Sequence, residues 1–465
     1  MLLTACGLFL TACGLFLTAC AVGPKYQRPG LSVPSAYKED GAWQPARPAE
    51  LGRTAWWRIY NDPVLDALEQ QVAVSNQTLK ADAAAYRQAE YAVATAQAGF
   101  FPTVSSSASG TRARARAASA ADTANLSADA SWAPDIWGRI RDTVAEQRAN
   151  AGASKADLAA ATLSAQGALA VDYFQLRGTD ELERLLRRTV AADADTLRIV
   201  TNQYKAGASA KADVLQAQAQ LDAARSQLAG AGVQRRQLEH ALAVLAGRAP
   251  AGFSLAPQGD IPPAPDVPAG VPAALLQRRP DIAAAERRAA AANAAIGVAE
   301  TAYFPDLTLA ASGGYSASVL AELMRTGSEV WSLGPSLAFT LFDGGARTAA
   351  TGSARAAYDQ QAALYRAAVL TAFQQVEDAL SGLRILGVQE KIQAQAVRDA
   401  AAARQIALNQ YRAGTVAYTS VVTAETQELA ARQTDLTVRE NRLIASVQLI
   451  EALGGGWNGK TPDKN

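Results

Sequence analysis

Two stretches of this chain run on and on without a proline: Arg139 to Tyr204, 66 residues, and Arg347 to Tyr411, 65 residues. As continuous helix each would be about 100 Å long at 1.5 Å rise per residue. A compact globule of this chain's length has a radius of gyration of about 23 Å, so rods of that length predict an elongated molecule. The composition suits close-packed rods. Hydrophobic residues make up 49% of the chain and aromatics only 6%, so the apolar count comes largely from Ala, a strong helix former that lets helices approach closely.

The same composition excludes several classes of function. The net charge is +1, which provides no uniform positive field for phosphate backbones, so no nucleic-acid partner is expected. Mean hydropathy is −0.03, and past residue 22 no run approaches the roughly 18 apolar residues of a membrane-spanning helix. His240 is the one histidine, and Cys6, Cys13 and Cys20 are the three cysteines, all within the first twenty residues. Metal centres, thiol nucleophiles and disulfide scaffolds lack raw material, so no metal, no catalytic residue and no enzymatic activity are expected.

The chain is written twice. Phe101-Pro102 recurs as Phe304-Pro305, Asp135-Ile136-Trp137-Gly138-Arg139 is echoed by Leu341-Phe342-Asp343-Gly344-Gly345, and Gln203-Tyr204-Lys205-Ala206-Gly207 returns as Gln410-Tyr411-Arg412-Ala413-Gly414. Two equivalent repeats follow, over 61–248 and 273–453. Between them, residues 249–272 hold seven of the nineteen prolines and read as an extended, non-helical linker. Residues 454–465 form a C-terminal tail. Each repeat reads as helix, two strands, very long helix, turn and helix. The first helix opens at Asp62-Pro63, an N-cap type followed by Pro at the first helical position, and is expected to run to about Gly99. Its counterpart opens at Pro280-Asp281.

After each Phe-Pro the apolar period changes from 3.6 to 2. Strands are predicted at about 103–117 and 123–136, and again at about 306–317 and 330–342. Leu126, Ala128, Ala130 and Trp132 oppose Ser127, Asp129 and Ser131, while Trp331, Leu333, Leu337, Phe339 and Leu341 alternate with Ser332, Gly334, Ser336 and Thr340. Weakly apolar, one-sided alternation of this kind is the pattern of outer-membrane strands. Four strands cannot close a barrel, for which about eight is the practical minimum, and open edges are not tolerated in lipid. Identical copies around a cyclic axis would have to pool their strands. The turns at Gly207 and Gly414 join each long helix to a second one. Val190, Leu197 and Tyr204 lead into the first turn at heptad spacing, and Val422, Leu429, Leu436, Leu443 and Ile450 follow the second, which predicts an antiparallel coiled-coil hairpin in each repeat.

Residues 1–22 are almost wholly apolar and repeat Leu-Thr-Ala-Cys three times, ending at Cys6, Cys13 and Cys20. An apolar stretch ending in small residues is a secretory signal. Leu17-Thr18-Ala19-Cys20 resembles a bacterial lipobox, which makes 1–19 a signal peptide, Cys20 the site of a covalent lipid, and 20–60 an extended segment behind it. No Lys or Arg precedes Lys25, a departure from ordinary signal peptides.

Taken together, Cys20-Ala21-Val22-Gly23-Pro24-Lys25-Tyr26-Gln27-Arg28-Pro29, Arg278-Arg279-Pro280-Asp281-Ile282, the two Phe-Pro pairs, Leu341-Phe342-Asp343-Gly344-Gly345, Tyr411-Arg412-Ala413-Gly414 and Ala452-Leu453-Gly454-Gly455-Gly456-Trp457 resemble the TolC-like outer-membrane factors, in their NodT-type lipoprotein branch. The resemblance implies a mainly α fold with a membrane β part. It further implies a homotrimer whose twelve-stranded β-barrel is continued by an α-helical barrel, and a passive exit duct in a tripartite efflux pump. A periplasmic adaptor protein and an inner-membrane transporter of the resistance-nodulation-division (RND) class are the implied partners, with outer-membrane lipid around the barrel and no cofactor beyond the lipid on Cys20. The alternative keeps the duct and assigns it to type I protein secretion.

The same resemblance places the periplasmic tips, where an adaptor docks, at Gly207 and Gly414 with Tyr204 and Tyr411. It assigns Asp213 a bond across to Tyr411 that keeps the tip closed. Ser420 and Thr423 stand where relatives can carry acidic constricting rings, and Val416 where an Arg latch can occur.

Other signals are discounted. Gly454 to Thr461 fits the G-x-x-x-x-G-K-[ST] phosphate loop, but a heptad helix precedes it and four residues follow, so no nucleotide is expected. His240 reads as structural, Trp43, Trp56 and Trp57 as core or belt packing, and the Arg112, Arg114, Arg116 row as lumen or rim lining.

Overall fold

The computed structural model describes residues 22–39, 55–114, 120–267, 278–455 and 457. Cys20, Trp43, Arg116 and the Gly456 to Thr461 part of the phosphate-loop pattern, Trp457 excepted, lie outside them, as does the end of the Pro-rich linker.

The elements are α1 (Pro63–Ser75), α2 (Gln77–Ala98), β1 (Thr103–Ala113), β2 (Ala121–Trp132), α3 (Arg139–Lys205), α4 (Lys211–Leu245), α5 (Pro280–Thr301), β3 (Asp306–Ala317), β4 (Glu329–Ala338), α6 (Ala346–Arg412) and α7 (Tyr418–Ala452). The long helices α3 and α6 have 67 residues each, and α4 and α7 have 35 each. Arg139 to Ala346 and Lys211 to Tyr418 are both offsets of 207, so the duplication holds to the residue through both hairpins. None of the described helices is long and apolar enough to cross a membrane.

The structure corrects three expectations. The single helix expected from Asp62 to Gly99 is two helices. Asp62 caps α1, accepting from Val64 N and Leu65 N at 2.9 and 3.2 Å, but Asn76 then leaves the helical region with ψ near 124°. Its side-chain oxygen accepts from Thr78 N and Leu79 N, which starts α2 afresh. Second, β2 ends at Trp132 and β4 at Ala338, short of 136 and 342. Pro134 stands two residues past β2, and without an N–H it cannot donate to a ladder; the Pro335 inside β4 is tolerated because β4 pairs on one side only among the described residues. Third, the linker is not wholly non-helical: Pro250–Gly252 forms a short 3-10 turn at its start, and the extended part that follows is held in place. Arg177 on α3 donates to the carbonyls of Gly259 and Asp260 at 3.0 and 2.9 Å, and Arg235 on α4 donates to Leu255 O at 2.7 Å.

The strands form one antiparallel sheet in the order β1-β2-β3-β4, so β2 of the first repeat pairs with β3 of the second. The register keeps the faces separate. Val104, Leu126, Ala128, Ala130, Trp132, Leu309, Tyr315, Trp331, Leu333 and Leu337 share one face. Thr103, Ser105, Ser107, Ser127, Asp129, Ser312 and Ser332 share the other, where Ser107–Ser127 and Ser312–Ser332 hydroxyls bond at 3.0 and 2.8 Å. Arg112 sits next to the end of β1, three-quarters exposed, with Asp122 as its partner at 3.5 Å, at the end of the sheet rather than its middle.

The chain gathers into two compact units, and both repeats contribute to each. One comprises 1–31, 84–155 and 284–367, and the other 32–83, 156–283 and 368–465. In the first unit, Asp135 accepts from Ile140 N and Arg141 Nε at 2.9 Å and so caps α3. Asp343 does the same for α6 through Gly345 N and Arg347 Nε. These bonds hold the Asp343 carboxyl below its ordinary range. Trp137 donates to Pro305 O at 2.8 Å and stacks on Phe304 at 4.8 Å, which ties the Asp-Ile-Trp-Gly phrase of the first repeat to the Phe-Pro phrase of the second. In the second unit Trp56, Trp57, Tyr60 and Phe174 form an aromatic core. Arg279 bonds Asp281, Gln375 Oε1 at 2.7 Å and Ala452 O at 3.0 Å, tying the start of α5 to α6 and to the end of α7.

Candidate functional site

The candidate site is the pair of hairpin tips, all of it in the second unit. Each turn is a Schellman close. Gly207 N donates to Tyr204 O at 2.9 Å and Ala208 N to Gln203 O at 2.8 Å; Gly414 N donates to Tyr411 O at 2.9 Å and Thr415 N to Gln410 O at 3.0 Å. Gly207 and Gly414 have φ of 75° and 74°, the left-handed conformation such a turn needs at this position. Among the described residues nothing outside the turn itself lies within 4 Å of where a Cβ would stand at either glycine.

Behind the turns the two hairpins share a core. Val200 of α3, Ala217 of α4 and Tyr418 and Val421 of α7 are buried together, with Leu197, Val214, Leu408, Tyr411 and Val422 packed around them. The Tyr411 and Tyr418 rings meet at 5.4 Å. The expected stripe into the first turn is corrected here. Leu197 packs against the core as expected, but Tyr204 is 43% exposed, and the buried line of α3 runs through Asp193, Thr196 and Val200. In α7 Leu436, Leu443 and Ile450 are buried as the heptads require.

The expected Asp213–Tyr411 bond is likewise corrected. The Tyr411 hydroxyl donates to Gln203 Oε1 at 2.6 Å, across from the second turn to the first. The Asp213 carboxylate accepts from Ala210 N at 3.3 Å, because a carboxylate in the first helical turn is drawn to its own free amides. Asp213 reaches the phenol only through its field, which adds to burial in raising the Tyr411 pKa. Gln203, which bears on the contact between tips, was visible in the sequence only as part of the repeated Gln-Tyr phrase. Ser420 is exposed, and the exposed Thr423 hydroxyl bonds back to Thr419 O at 2.9 Å, so neither supplies charge. Val416 is half-buried and His240 lies exposed on α4. Gly454 and Gly455, with positive φ, close α7 through bonds to Glu451 O and Ile450 O, a helix stop rather than the strand-to-helix setting of a phosphate loop.

The outer membrane efflux protein model matches residues 68–248 and 271–455, one match on each repeat. The chain belongs to the outer membrane efflux protein family. It is 28% identical over 460 residues to the toluene efflux pump outer membrane protein TtgC of Pseudomonas putida, covering 95% of this chain and 94% of the relative. It is 30% identical over 441 residues to the pyoverdine export outer membrane protein OpmQ of Pseudomonas aeruginosa, covering 92% of each. Among solved structures it resembles the outer-membrane channel OprN, with a TM-score of 0.87, 28% identity, and coverage of 94% of this chain and 100% of that one. It also resembles the open state of the Neisseria gonorrhoeae MtrE outer membrane channel, with a TM-score of 0.82, 26% identity, and coverage of 95% and 100%. This member of the family is an outer-membrane protein that acts as the exit duct of a tripartite efflux pump.

Proposed function

We propose that three copies of this chain pool their strands into a twelve-stranded barrel continued by an α-helical barrel, and that this trimer passively conducts small molecules out of the cell. The observation that carries the reading is the sheet itself. It has four strands, one apolar face and one Ser/Thr/Asp face, and β1 and β4 each pair on one side only among the described residues. Such a ribbon has no stable place in lipid until its edges are paired, and threefold closure gives each β1 a β4 from the next copy. The apolar face then meets acyl chains and the hydroxyl face lines water.

In this reading a lipid on Cys20 anchors the N-terminus. The tips around Gly207, Gly414, Tyr204 and Tyr411 receive a periplasmic adaptor, and an inner-membrane RND transporter supplies substrate and energy. The relatives named for toluene efflux and for pyoverdine export support small-molecule cargo over protein. The test is purification in detergent, mass determination and single-channel recording in planar bilayers. Threefold mass with discrete conductance steps is expected; a monomer that carries no current overturns the proposal.

A further inference from the structure

Two turns behind the shared tip core, the packing between hairpins turns from apolar to acidic. Asp193 lies seven residues before Val200 on α3, hence on the same helical face, and is 4% exposed. Its Oδ2 meets no hydrogen-bond partner among the described residues. Glu425 lies four residues after Val421 on α7; its side chain is 9% exposed, and neither of its oxygens meets a hydrogen-bond partner among the described residues. Arg404 of α6 is the cation beside Glu425, and its charge also reaches Asp193. Its Nη2 is 3.6 Å from Glu425 Oε1 and its Nε 3.8 Å from Glu428 Oε2, and Glu428 is in turn held by Arg432 at 2.7 Å. The remaining titratable neighbours are Tyr418 of α7, Tyr411 of α6 and Asp213 of α4, so each of the four helices presents a group here.

Buried carboxylates without hydrogen bonds are costly in the charged form, and two that repel across a contact between helices push that contact apart. Asp193 comes from the first hairpin and Glu425 from the second, so their repulsion acts on the joint that the tip core closes. We propose that Asp193 and Glu425 form a proton-operated latch, in which one proton taken from solvent onto Asp193 removes the repulsion and locks the first hairpin tip to the second.

Loss of that proton restores two buried anions served by one guanidinium and loosens the tip. Burial, eased only in part by Arg404, pushes Asp193 up to about 6, and burial together with the Asp193 charge raises Glu425. The sign follows from linkage. The packed tip holds the proton more tightly than the loosened one, so packing is favoured as the pH falls through about 6 and is weakened above it. With an ordinary Asp pKa of about 3.9 in the loosened tip, moving from pH 7.5 to pH 5.5 lowers the open population about fourfold per chain.

The latch rests on the duct reading only for its effect on current. The test therefore reads amide exchange in the purified full-length protein, at the turn amides of Ala208 and Thr415, corrected for the intrinsic rate at each pH. The wild type is expected to open about fourfold less often at pH 5.5 than at pH 7.5. Asp193→Asn, which keeps shape and removes the charge, is expected to be protected equally at both pH values, and Glu425→Gln is expected to lose most of the response as well. A wild-type opening rate independent of pH, or a full response retained by both variants, overturns the latch. Currents recorded in parallel separate the two readings: an intact exchange response without current overturns the duct alone, and current with pH-independent exchange overturns the latch alone.

Discussion

Replacing Gly414 with Ala and with Asn separates two reasons for having glycine at a tip. The glycine sits at φ 74° with open space where a side chain would project, so Ala meets no neighbour and its cost is that of a left-handed backbone alone. That cost is about 1–2 kcal/mol for an ordinary residue, and Asn, which tolerates the conformation, bears much less of it. At the lower end, Gly414→Ala should raise the open fraction of its turn about fivefold, while Gly414→Asn should change it less than twofold. Gly207, at φ 75° in the same open setting, should give the same pair of values. The readout is exchange of Thr415 N, whose bond to Gln410 O closes the second turn, and of Ala208 N for the first. Export of a toxic compound by a complemented deletion strain is measured alongside. Unchanged exchange in Gly414→Ala, or equal loss in Ala and Asn, would refute the conformational argument. Export lost in both variants with exchange intact would instead mark the bare backbone as the surface a partner needs.

Three further outcomes are expected from the second unit. Arg177→Met removes the donors to Asp62, Tyr173, Gln258 and the carbonyls of Gly259 and Asp260, and leaves a nearly buried Asp62 short of its counter-charge. A loss of about 3–5 kcal/mol in denaturant unfolding, with faster proteolysis near residue 259, is expected, and a change under 1 kcal/mol would contradict it. Leu443→Ala, fully buried on the α7 stripe, should cost about 2–5 kcal/mol, and half-buried Val422→Ala clearly less; equal losses would deny that the stripe is the packing line. Glu69 is fully buried with neither oxygen hydrogen-bonded among the described residues, and burial, then the Glu451 charge, pushes it up to about 9. Its neutral form therefore contributes stability present below about pH 4.5 and lost as pH rises through 9, on the order of 4 kcal/mol between pH 5 and 8. Glu69→Gln should flatten the fall of Tm over that range, and a variant that follows the wild-type curve would refute the assignment.

The architecture was legible because its signals are long or repeated. Proline-free runs show α3 and α6 to within a residue or two, and the alternation of Trp331, Leu333 and Leu337 with Ser332 and Ser336 identifies β4 and its faces. The break at Asn76 was not legible from periodicity, since α1 and α2 are both apolar in helical rhythm. The sign was the Asn itself, whose side chain competes for backbone amides and starts a new helix where a straight-chain residue would continue the old one. The gathering of the two repeats into both units was also hidden, because a duplicated sequence says which segments are equivalent and not which of them pack together.

The tips show why a site can be harder to read than the fold that carries it. A search for apolar heptads finds Val190, Leu197 and Tyr204 and passes over Asp193 and Thr196, since polar residues on a helix normally face water. In α3 that assumption fails over this stretch: Tyr204 points outward, and the side chains between the hairpins include a carboxylate. A buried acid in a packing stripe weakens the stripe as a hydrophobic signal and, by the same substitution, makes the packing depend on protonation. A contact that must open and reclose gains from being marginal, and an all-apolar stripe at Asp193 and Glu425 would hold the two tips together at every pH. The residue that breaks the pattern is thus the one through which a condition outside the protein can act on the tip.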